Sequence, residues 1–442
     1  MPTTPLVDLD IAAFCRHMES LGQRRAFVVT GSDGRVVVSH PALAELAPWL
    51  TAGNPDYLAH EGLFFEVSRQ TGALFGAFVH GTRRGQGQGG LRFWPYPSFG
   101  AFVRDGLRLS CGMTRKNALA GIWWGGGKGI IARPAGARYR DPEFRAQVYR
   151  EYGEFVSSLG GCYITAEDAG TKALDMSSVF TTTRFTTCIP PAQGGSGNPS
   201  PATAKGVVCA MEGALDHQGL GTLAGKTIAM QGAGNVAAAM IGELLARGAA
   251  QVVATDISEP RCEEVRKRFT GQPVEIRCVA PDDCKIFGHA CDILAPNALG
   301  GVLNPTTIPM IQAKIVCGAA NNQLLDDVRD AQALRDRGIV YVPDFLCNRM
   351  GIVHCANEQY GQLSQDPAIE RHFGREWENS VFRVTKQALR LAQQHGETTA
   401  AAANRLADEL AQVEHPIWGH RSRAIIDDLV ATDWHLAARE SQ

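Results

Sequence analysis

Apolar residues follow two rhythms in the first 120 residues of the chain. Short apolar runs bounded by turn residues predict strands, whereas apolar residues recurring every three or four positions predict helices. The predicted helices are residues 11–21 and 98–120, and the predicted strands are residues 25–29, 35–38, 62–67 and 73–79. Met113 and Lys116 lie three positions apart in the second helix, so we expect them to share a face.

The pattern changes after a stretch rich in glycine, proline and serine at residues 194–201. Beyond it, strand and helix patterns alternate, which predicts a parallel, doubly wound sheet. The predicted helices are residues 203–217 and 235–247, and the predicted strands are residues 227–230, 251–255, 293–295 and 315–317. From about residue 357 the chain is predicted to be mainly helical. The fold class is therefore α/β with a helical C-terminal segment.

Composition narrows the possible functions. The 442 residues suffice for about two or three domains, and the net charge of −2, with both signs mixed, argues against a nucleic-acid surface. No apolar run approaches the ~18 residues of a membrane span, and the N-terminal residues show no signal peptide, so we expect a cytoplasmic protein. The twelve cysteines occur singly and the histidines lack metal-ligand spacing, so no metal site is predicted.

Lys128 stands in the sequence Gly-Gly-Gly-Lys-Gly, which is typical of a site where the backbone approaches a small anion or a reactive amine. A nucleotide-hydrolase phosphate loop would need a glycine five residues before the Gly-Lys pair and a hydroxyl residue after it. Ile122 and Gly129 occupy those positions. The phosphate-loop interpretation is therefore excluded.

A second glycine motif, residues 232–237 with the sequence Gly-Ala-Gly-Asn-Val-Ala, follows a predicted strand and opens a predicted helix. This context is typical of a dinucleotide site, in which the pyrophosphate binds at the helix N-terminus. Asp256 ends the next strand, about 20 residues on, where a carboxylate binds the ribose hydroxyls. It favours NAD over NADP, because a carboxylate repels a 2′-phosphate, although nearby Arg261 keeps NADP possible.

Several further segments combine with these motifs in a fixed order: Gly-Gly-Leu-Arg at 89–92, Met-Thr-Arg-Lys-Asn-Ala at 113–118, Ala-Glu-Asp-Ala-Gly-Thr at 166–171, Gly-Ala-Ala-Asn-Asn-Gln at 318–323 and Pro-Asp-Phe-Leu-Cys-Asn at 343–348. Together they resemble the Glu/Leu/Phe/Val family of amino-acid dehydrogenases from about Tyr57 to Glu358, closest in pattern to its leucine and phenylalanine members. The resemblance implies an N-terminal extension (1–55), a substrate, catalytic and oligomerisation domain (56–193), a Rossmann domain (194–354), a cleft between the two domains, and a helical segment that packs back onto them (355–442). It also implies a homo-oligomer.

The resemblance also implies roles for matched residues. Lys116 would hold the α-carboxylate of the substrate, Lys128 would activate the attacking water, and Asp168 would move protons to and from the amino nitrogen. A lysine that is partly desolvated near a second cation has a lowered pKa and becomes a base near neutrality. The implied substrate-binding residues are Gln88, Gly89, Gly90, Met113, Lys116, Asn321 and Val353; the implied cofactor-binding residues are Thr203, Gly232, Gly234, Asn235, Val236, Asp256, Ala295, Asn297 and Asn321.

Two departures from the family pattern bear on the substrate. Gln88 stands where glutamate enzymes have a lysine and leucine enzymes an apolar residue, so glutamate is not the expected substrate. Arg349 and Met350 replace Ala-Gly, and we expect them to add charge and bulk near the pocket. The first hypothesis is reversible NAD-dependent oxidative deamination of an apolar or aromatic L-amino acid to its 2-oxo acid and ammonia. The alternatives are a biosynthetic relative acting on a bulky or modified substrate and a catalytically silent NAD-binding regulator.

Overall fold

The computed structural model describes residues 4–133, 138–361, 363 and 365–436. Within this part of the chain, residues 25–164 form one sheet and residues 227–341 a second. The strands of the first sheet are β1 (Arg25–Thr30), β2 (Val36–Val38), β3 (Gly62–Val67), β4 (Leu74–Gly81), β5 (Gly87–Gln88), β6 (Leu91–Trp94), β7 (Gly125–Ala132) and β8 (Tyr163–Ile164). The helices around it are α1 (Ile11–Ser20), α2 (Leu46–Thr51), α3 (Phe99–Leu119), α4 (Pro142–Ser158) and α5 (Ala173–Phe180).

The first sheet is mixed, with the strand order β2-β1-β3-β4-β7-β5-β8, and β6 also pairs with β7. The pairs from β2 through β1, β3 and β4 to β7 are antiparallel, whereas β5 pairs in parallel with both β7 and β8. Strand β1 pairs with β3, so the N-terminal segment extends the same sheet. The four strands and two helices predicted for this part of the chain are confirmed, with ends within two residues of the prediction.

The sequence suggested that the glycines around Lys128 let the backbone approach a ligand, but in the structure they allow close packing inside the first sheet. They belong to β7, an inner strand that is buried along its whole length. A Cβ atom on Gly126 would overlap Thr114 of α3, and one on Gly127 would come 2.7 Å from the ring of Tyr163. These glycines therefore allow α3 and Tyr163 to pack against the strand, rather than opening the backbone to a ligand.

The second sheet is wholly parallel and has the order β11-β10-β9-β12-β13-β14. Its strands are β9 (Thr227–Gln231), β10 (Gln251–Asp256), β11 (Val274–Cys278), β12 (Ile293–Pro296), β13 (Ile315–Val316) and β14 (Val340–Tyr341). The helices of this half are α6 (Ser200–His217), α7 (Asn235–Ala246), α8 (Glu259–Arg268), α9 (Arg329–Asp336), α10 (Asp344–Cys347) and α11 (Met350–Asn357). The predicted doubly wound sheet is confirmed, and the strand order reverses between β9 and β12, where such sheets bind ligands.

The C-terminal segment is helical, as predicted, with α12 (Pro367–Glu370), α13 (Val381–His395), α14 (Thr399–Ala411) and α15 (Arg421–Ala431). Helix α13 packs against α6 beside the second sheet, whereas α14 packs against α3 beside the first. The segment therefore contacts both halves of the molecule. No helix in the described part of the chain is long and apolar enough to cross a membrane.

Candidate active site

A buried ion pair joins the inner strand β7 to the loop that follows β8. Lys128, on β7, is 4% exposed, and its Nζ donates a hydrogen bond of 2.7 Å to Oδ2 of Asp168, in the loop after β8. Gly90 allows this approach, because a Cβ atom there would come 2.7 Å from the Cβ of Asp168. The two residues to which the resemblance assigns the proton transfers are therefore in direct contact.

Arg92, on β6, adds a second cation to this pair. Its Nε donates to the same Asp168 oxygen over 3.4 Å, and its Nη1 binds both carboxylate oxygens of Asp105 at 3.0 and 3.1 Å. The hydroxyl of Tyr96 donates to Asp105 over 2.5 Å. The sequence placed Arg92 in a motif but gave no reason to connect it to Asp105, thirteen positions away on α3. This chain of contacts fixes the Asp168 carboxylate.

For both Lys128 and Asp168, burial and the neighbouring charges shift the pKa in opposite directions. Desolvation lowers the pKa of Lys128, and the attraction of Asp168 only partly offsets it, so the net pKa lies below the usual 10.5. Desolvation alone would raise the pKa of Asp168, but the charges of Lys128 and Arg92 outweigh it and lower the pKa. The pair therefore titrates as a unit in which the loss of the lysine proton makes the carboxylate more basic.

Lys116 lies opposite this pair on α3, and it is half-buried. Burial lowers its pKa, and the nearby charge of Lys128 acts in the same direction while Asp344 opposes it. Its Nζ lies 3.5 Å from Oδ1 of Asn321, and the same oxygen accepts a hydrogen bond of 2.8 Å from Asn348. Lys116 is thus held against residues of the second sheet.

These groups line one cavity of about 390 Å³ between the two sheets. Of the residues implied for substrate binding, Gln88, Gly90, Met113, Lys116 and Asn321 lie in its wall together with Lys128 and Asp168. Gly89 is not among the described lining residues, and a Cβ atom on it would overlap the carbonyl oxygen of Gly127, so a glycine is needed there for the close approach to β7. Of the implied cofactor residues, Thr203, Val236 and Asn321 also line the cavity.

The glycine motif after β9 fits a dinucleotide. Gly232 has φ +99°, a left-handed conformation that favours glycine, and a Cβ atom on it would come 2.8 Å from Ala298. Gly234 caps α7, and nothing lies within 4 Å of the place its Cβ would take, so there is free space beside the backbone where Asn235 begins the helix. This is the environment that a pyrophosphate needs at a helix N-terminus.

Asp256, at the end of β10, holds this motif in place. Its Oδ2 accepts from the N–H of Ala233 over 2.9 Å, and its Oδ1 accepts from Ser258 over 3.0 Å. Arg261 donates to the carbonyl of Ala233 over 2.8 Å and to Glu264 over 2.7 Å. The guanidinium therefore already has partners in the loop and in its own helix.

Two further cofactor candidates, Ala295 and Asn297, lie on and directly after β12, next to the reversal of strand order. Asn297 follows β12, and its side chain donates to the carbonyl of Ala295 over 3.1 Å and accepts from the N–H of Ala319 over 2.7 Å. Thr203, on α6, donates to Pro199 over 2.9 Å. Asn297 thereby joins the ends of β12 and β13 beside the cavity.

The structure corrects three expectations about the substrate pocket. Arg349 and Met350 do not add charge or bulk there: neither is among the described lining residues. The guanidinium of Arg349 is buried and binds the carbonyls of Leu119 and Asn379, and Met350 packs on Gly206. Val353 lies in the core of the second half, and its neighbours Ile352 and Cys355 face the cavity instead. The reason is helical geometry, since α11 turns successive side chains to different sides.

Arg349→Ala is expected to destabilise the protein by about 2 kcal/mol, because two buried carbonyl groups lose charged donors and a cavity opens. The loss is limited because the desolvation of an arginine without a carboxylate partner, which lowers its pKa to about 9, is removed as well. The urea midpoint of unfolding measures the change. Arg35→Ala, at an exposed turn, serves as the control and should change the stability by less than about 0.5 kcal/mol. Equal midpoints for the two variants would contradict the role of Arg349.

Asp344 and Asn348 are the other participants that the sequence did not single out. Asp344 accepts from the N–H of Asn322 over 2.7 Å, and Asn348 donates to the carbonyl of Ala319 over 3.0 Å as well as to Asn321. Both stand in the segment 343–348 that the family resemblance already included. The sequence showed Asp344 and Asn348 as polar residues after the end of a strand. It did not show that they bind the segment at Ala319, Asn321 and Asn322.

Comparison with known proteins identifies the family of the chain. The family described as Glu/Leu/Phe/Val dehydrogenase, dimerisation domain, matches residues 64–185, and Glutamate/Leucine/Phenylalanine/Valine dehydrogenase matches residues 194–259 and 261–414. A leucine dehydrogenase of Bacillus cereus is 38% identical over 79% of this chain and 90% of its own length. A valine dehydrogenase of Streptomyces coelicolor is 37% identical over 81% of this chain and 94% of its own.

A solved structure of L-tryptophan dehydrogenase from Nostoc punctiforme covers 80% of this chain and 96% of its own, with a TM-score of 0.64 and 32% identity. The family matches cover the second sheet, the first sheet from β4 to β8, and the segments that carry Lys116, Lys128 and Asp168. Residues 1–63 precede the matched regions, and β1 and β2 of that segment extend the first sheet. The chain belongs to the Glu/Leu/Phe/Val family of amino-acid dehydrogenases.

Proposed function

We propose that the protein is a NAD-dependent dehydrogenase that reversibly deaminates an apolar or aromatic L-amino acid to its 2-oxo acid and ammonia. The observation that carries this proposal is the Lys128–Asp168 pair, 2.7 Å apart and facing Lys116 across the cavity between the sheets. Family membership and the leucine, valine and tryptophan dehydrogenases among the relatives support the reaction type. A silent homologue would not be expected to keep all three charged groups in one cavity.

Each charged group has a separate task in this reaction. Lys116 binds the α-carboxylate of the substrate, because it is a cation at the cavity wall that Asn321 and Asn348 hold in place. A dinucleotide held by the glycine motif at residues 232–234 would supply the acceptor for the hydride of the substrate Cα, and loss of that hydride would leave an imine. Asp168 takes a proton from the amino nitrogen before this transfer and returns one to the leaving ammonia. Lys128 removes a proton from the water that attacks the imine carbon.

The same geometry explains why the two proton carriers are adjacent. A lysine acts as a base only in its neutral form, and burial in the cavity wall shifts Lys128 toward that form. While Lys128 is charged, it holds Asp168 as an anion that is ready to accept the amino proton. Proton gain at one site therefore favours proton loss at the other.

The test of this proposal is NADH or NADPH formation, followed by absorbance, with each of the twenty amino acids and each cofactor in turn. We expect reduction with at least one apolar or aromatic L-amino acid and none with its D-enantiomer. The reverse reaction with the matching 2-oxo acid and ammonia should consume the reduced cofactor. Absence of turnover in both directions from a protein that binds NADH would contradict the proposal and favour the regulatory alternative.

NAD is the proposed cofactor, and Asp256 is the proposed reason. Asp256→Asn is expected to reduce the preference for NAD over NADP, measured as a ratio of kcat/KM, by about tenfold, because the amide no longer repels a 2′-phosphate. Asp292→Asn is the matched control: Asp292 also accepts from a backbone N–H, that of Thr227, but it precedes β12 and so lies at the other end of the parallel strands from Asp256. A ratio that stays the same in both variants would show that Asp256 does not face the ribose.

We also propose the four-part division at residues 55, 193 and 354, and assembly as a homo-oligomer. The description of residues 64–185 as a dimerisation domain supports the second point. The molar mass in solution, measured by light scattering, tests it. A single chain of 47.6 kDa would contradict it.

A further inference from the structure

Cys278 is the exposed member of a pair of thiols at the edge of the second sheet. Among the cysteines in the described part of the chain, it alone is exposed to solvent. It ends the edge strand β11, on the same face as the buried Ile276 two residues earlier. A hydrogen bond joins its thiol to the sulfur of Cys262, which is buried on α8. A thiol that solvent reaches is therefore in contact with one that solvent does not reach.

Both thiols adjoin Asp256, the residue proposed to bind the cofactor ribose. In the parallel ladder of β10 and β11, Cys278 is paired with Asp256. The sulfur of Cys262 donates to the carbonyl oxygen of Asp256 over 3.8 Å. The two cysteines thus approach the last residue of β10 from different elements, one from β11 and one from α8. A change at either sulfur acts directly beside the proposed ribose site.

Exposure distinguishes this pair from two others. Hydrogen bonds also join the thiols of Cys188 and Cys355 and those of Cys317 and Cys347. All four of these residues are buried. Disulfide exchange begins with a thiol that the oxidant can reach, so packing protects both of these pairs. In the pair at the end of β11 an oxidant can reach one sulfur from solvent, and the second sulfur needs to reach only the first.

Glu259, the first residue of α8, controls how readily the Cys278 thiol ionises. The S–H of Cys278 is shared between the Cys262 sulfur and the Glu259 carboxylate, and the bond to Glu259 contributes most to raising the pKa of Cys278 to about 11. Arg266 pairs with the same carboxylate over 2.6 Å. Because the thiolate is the reacting form, Glu259 slows the reaction of Cys278 near neutral pH without blocking access to it.

The start of α8 carries contacts that shape the dinucleotide motif. The N–H of Ser258 donates to the carboxylate of Asp256 over 3.0 Å, and Arg261 donates to the carbonyl of Ala233 over 2.8 Å. A disulfide removes the S–H that Cys262 donates to Asp256, and it draws the two sulfurs closer than a hydrogen bond does. Ser258 and Arg261 lie within about one helical turn of Cys262, so they move with it. The contacts around the proposed ribose and pyrophosphate sites are then displaced.

We propose that Cys262 and Cys278 form a reversible disulfide that weakens dinucleotide binding at the glycine motif. The effect on the cofactor rests on the proposed function, whereas formation of the disulfide does not. The oxidant is a low-molecular-weight disulfide, such as oxidised glutathione. The modification makes the affinity for the dinucleotide depend on the thiol–disulfide balance around the protein.

The reaction is a two-step thiol–disulfide exchange. The thiolate of Cys278 attacks one sulfur of oxidised glutathione, which forms a mixed disulfide and releases one glutathione thiolate. Cys262 then loses its proton and attacks the Cys278 sulfur, so the protein disulfide forms and a second glutathione thiolate leaves. The two protons from the cysteines pass to the two leaving thiolates. Two electrons pass from the protein thiols to glutathione.

The test incubates the full chain with oxidised glutathione and follows the intact mass and the Kd for NADH, measured by fluorescence titration. We expect the mass to fall by two hydrogens, the Kd to rise by about fivefold or more, and dithiothreitol to reverse both changes. Cys278→Ser should form no protein disulfide and keep its affinity in the oxidant. Cys262→Ser should stop at the mixed disulfide, seen as one added glutathionyl group. Cys284→Ser, which removes a half-buried thiol bonded to the carbonyl of Asp282, should behave like the unmutated protein.

Glu259→Gln provides a rate that a passive contact between thiols would not change. Without the carboxylate the pKa of Cys278 falls, and the disulfide should form about three- to tenfold faster, because the gain in thiolate outweighs its lower nucleophilicity. Absence of a disulfide, a disulfide mapped to other cysteines, or an unchanged Kd for NADH in the oxidised protein would each overturn the inference. If the reduced protein does not bind NADH, the proposed cofactor site and the effect on it are both wrong, while the mass and the peptide map still test the disulfide.

Discussion

Lys128→Ala is expected to lower kcat for oxidative deamination by about 10³-fold or more, the range found when a general base is removed. The reason is that the attacking water loses the group that takes its proton, and Asp168 loses the cation that orients it at 2.7 Å. Cofactor binding should change little, because the glycine motif at 232–234 lies on the other sheet. Steady-state rates measure the first effect, and NADH fluorescence titration measures the second.

A matched control exists elsewhere in the chain. Lys386 forms an ion pair with Asp216 that is solvent-exposed, with 33% and 44% of the two side chains accessible. Lys386→Ala removes the same type of group from the same type of pair, and we expect kcat to remain within about twofold because exposed pairs contribute little. Normal turnover in Lys128→Ala, or an equal loss in both variants, would contradict the assignment of Lys128 as the base.

Most of the fold could be predicted from the sequence because the order of strand and helix patterns differs between the two halves of the chain. The alternation after residue 200 predicted a parallel, doubly wound sheet, and the structure contains one in the order β11-β10-β9-β12-β13-β14, with the dinucleotide motif at its reversal. Strand β7 was not predicted, because glycine has a low intrinsic strand preference and β7 contains four glycines, Gly125, Gly126, Gly127 and Gly129. They are needed because α3, Tyr152 and Tyr163 approach the strand too closely for a Cβ atom. These contacts join β7 to residues that are distant in the sequence, so the local sequence pattern does not reveal them.

The sequence indicated candidate residues for the site but not the contacts between them. Family motifs identified Lys116, Lys128 and Asp168, and the structure brings all three to one cavity. The motifs did not say which way the side chains of a short helix point, so Arg349 and Met350 were assigned to a pocket from which α11 turns them away. Nor did they reveal that Arg92 links Asp168 to Asp105, since this contact joins β6, α3 and the loop after β8.

Asp168→Asn is expected to lower kcat by about 10³-fold and also to move the pH dependence of the remaining activity. The amide cannot accept the amino proton, which accounts for the loss of rate. In the unmutated protein Asp168 raises the pKa of Lys128 by attraction and by a hydrogen bond, against desolvation and the charge of Arg92. Without that carboxylate the lysine is neutral at lower pH, so the rising limb of kcat should shift down by about one to three pH units.

The direction of this shift distinguishes a coupled pair from two independent groups. If Lys128 and Asp168 act as one unit, the variant carrying both substitutions should be no slower than either single variant by more than about tenfold, since each already disables the unit. Asp216→Asn, in the exposed pair with Lys386, should leave both kcat and its pH profile unchanged. Two results together would mean that the two groups titrate separately. The rising limb of kcat in Asp168→Asn would stay in place or move to higher pH, and the loss of kcat in the double variant would equal the product of the losses in the single variants. Because the 2.7 Å contact is buried, such independence would require the pair to separate when substrate binds.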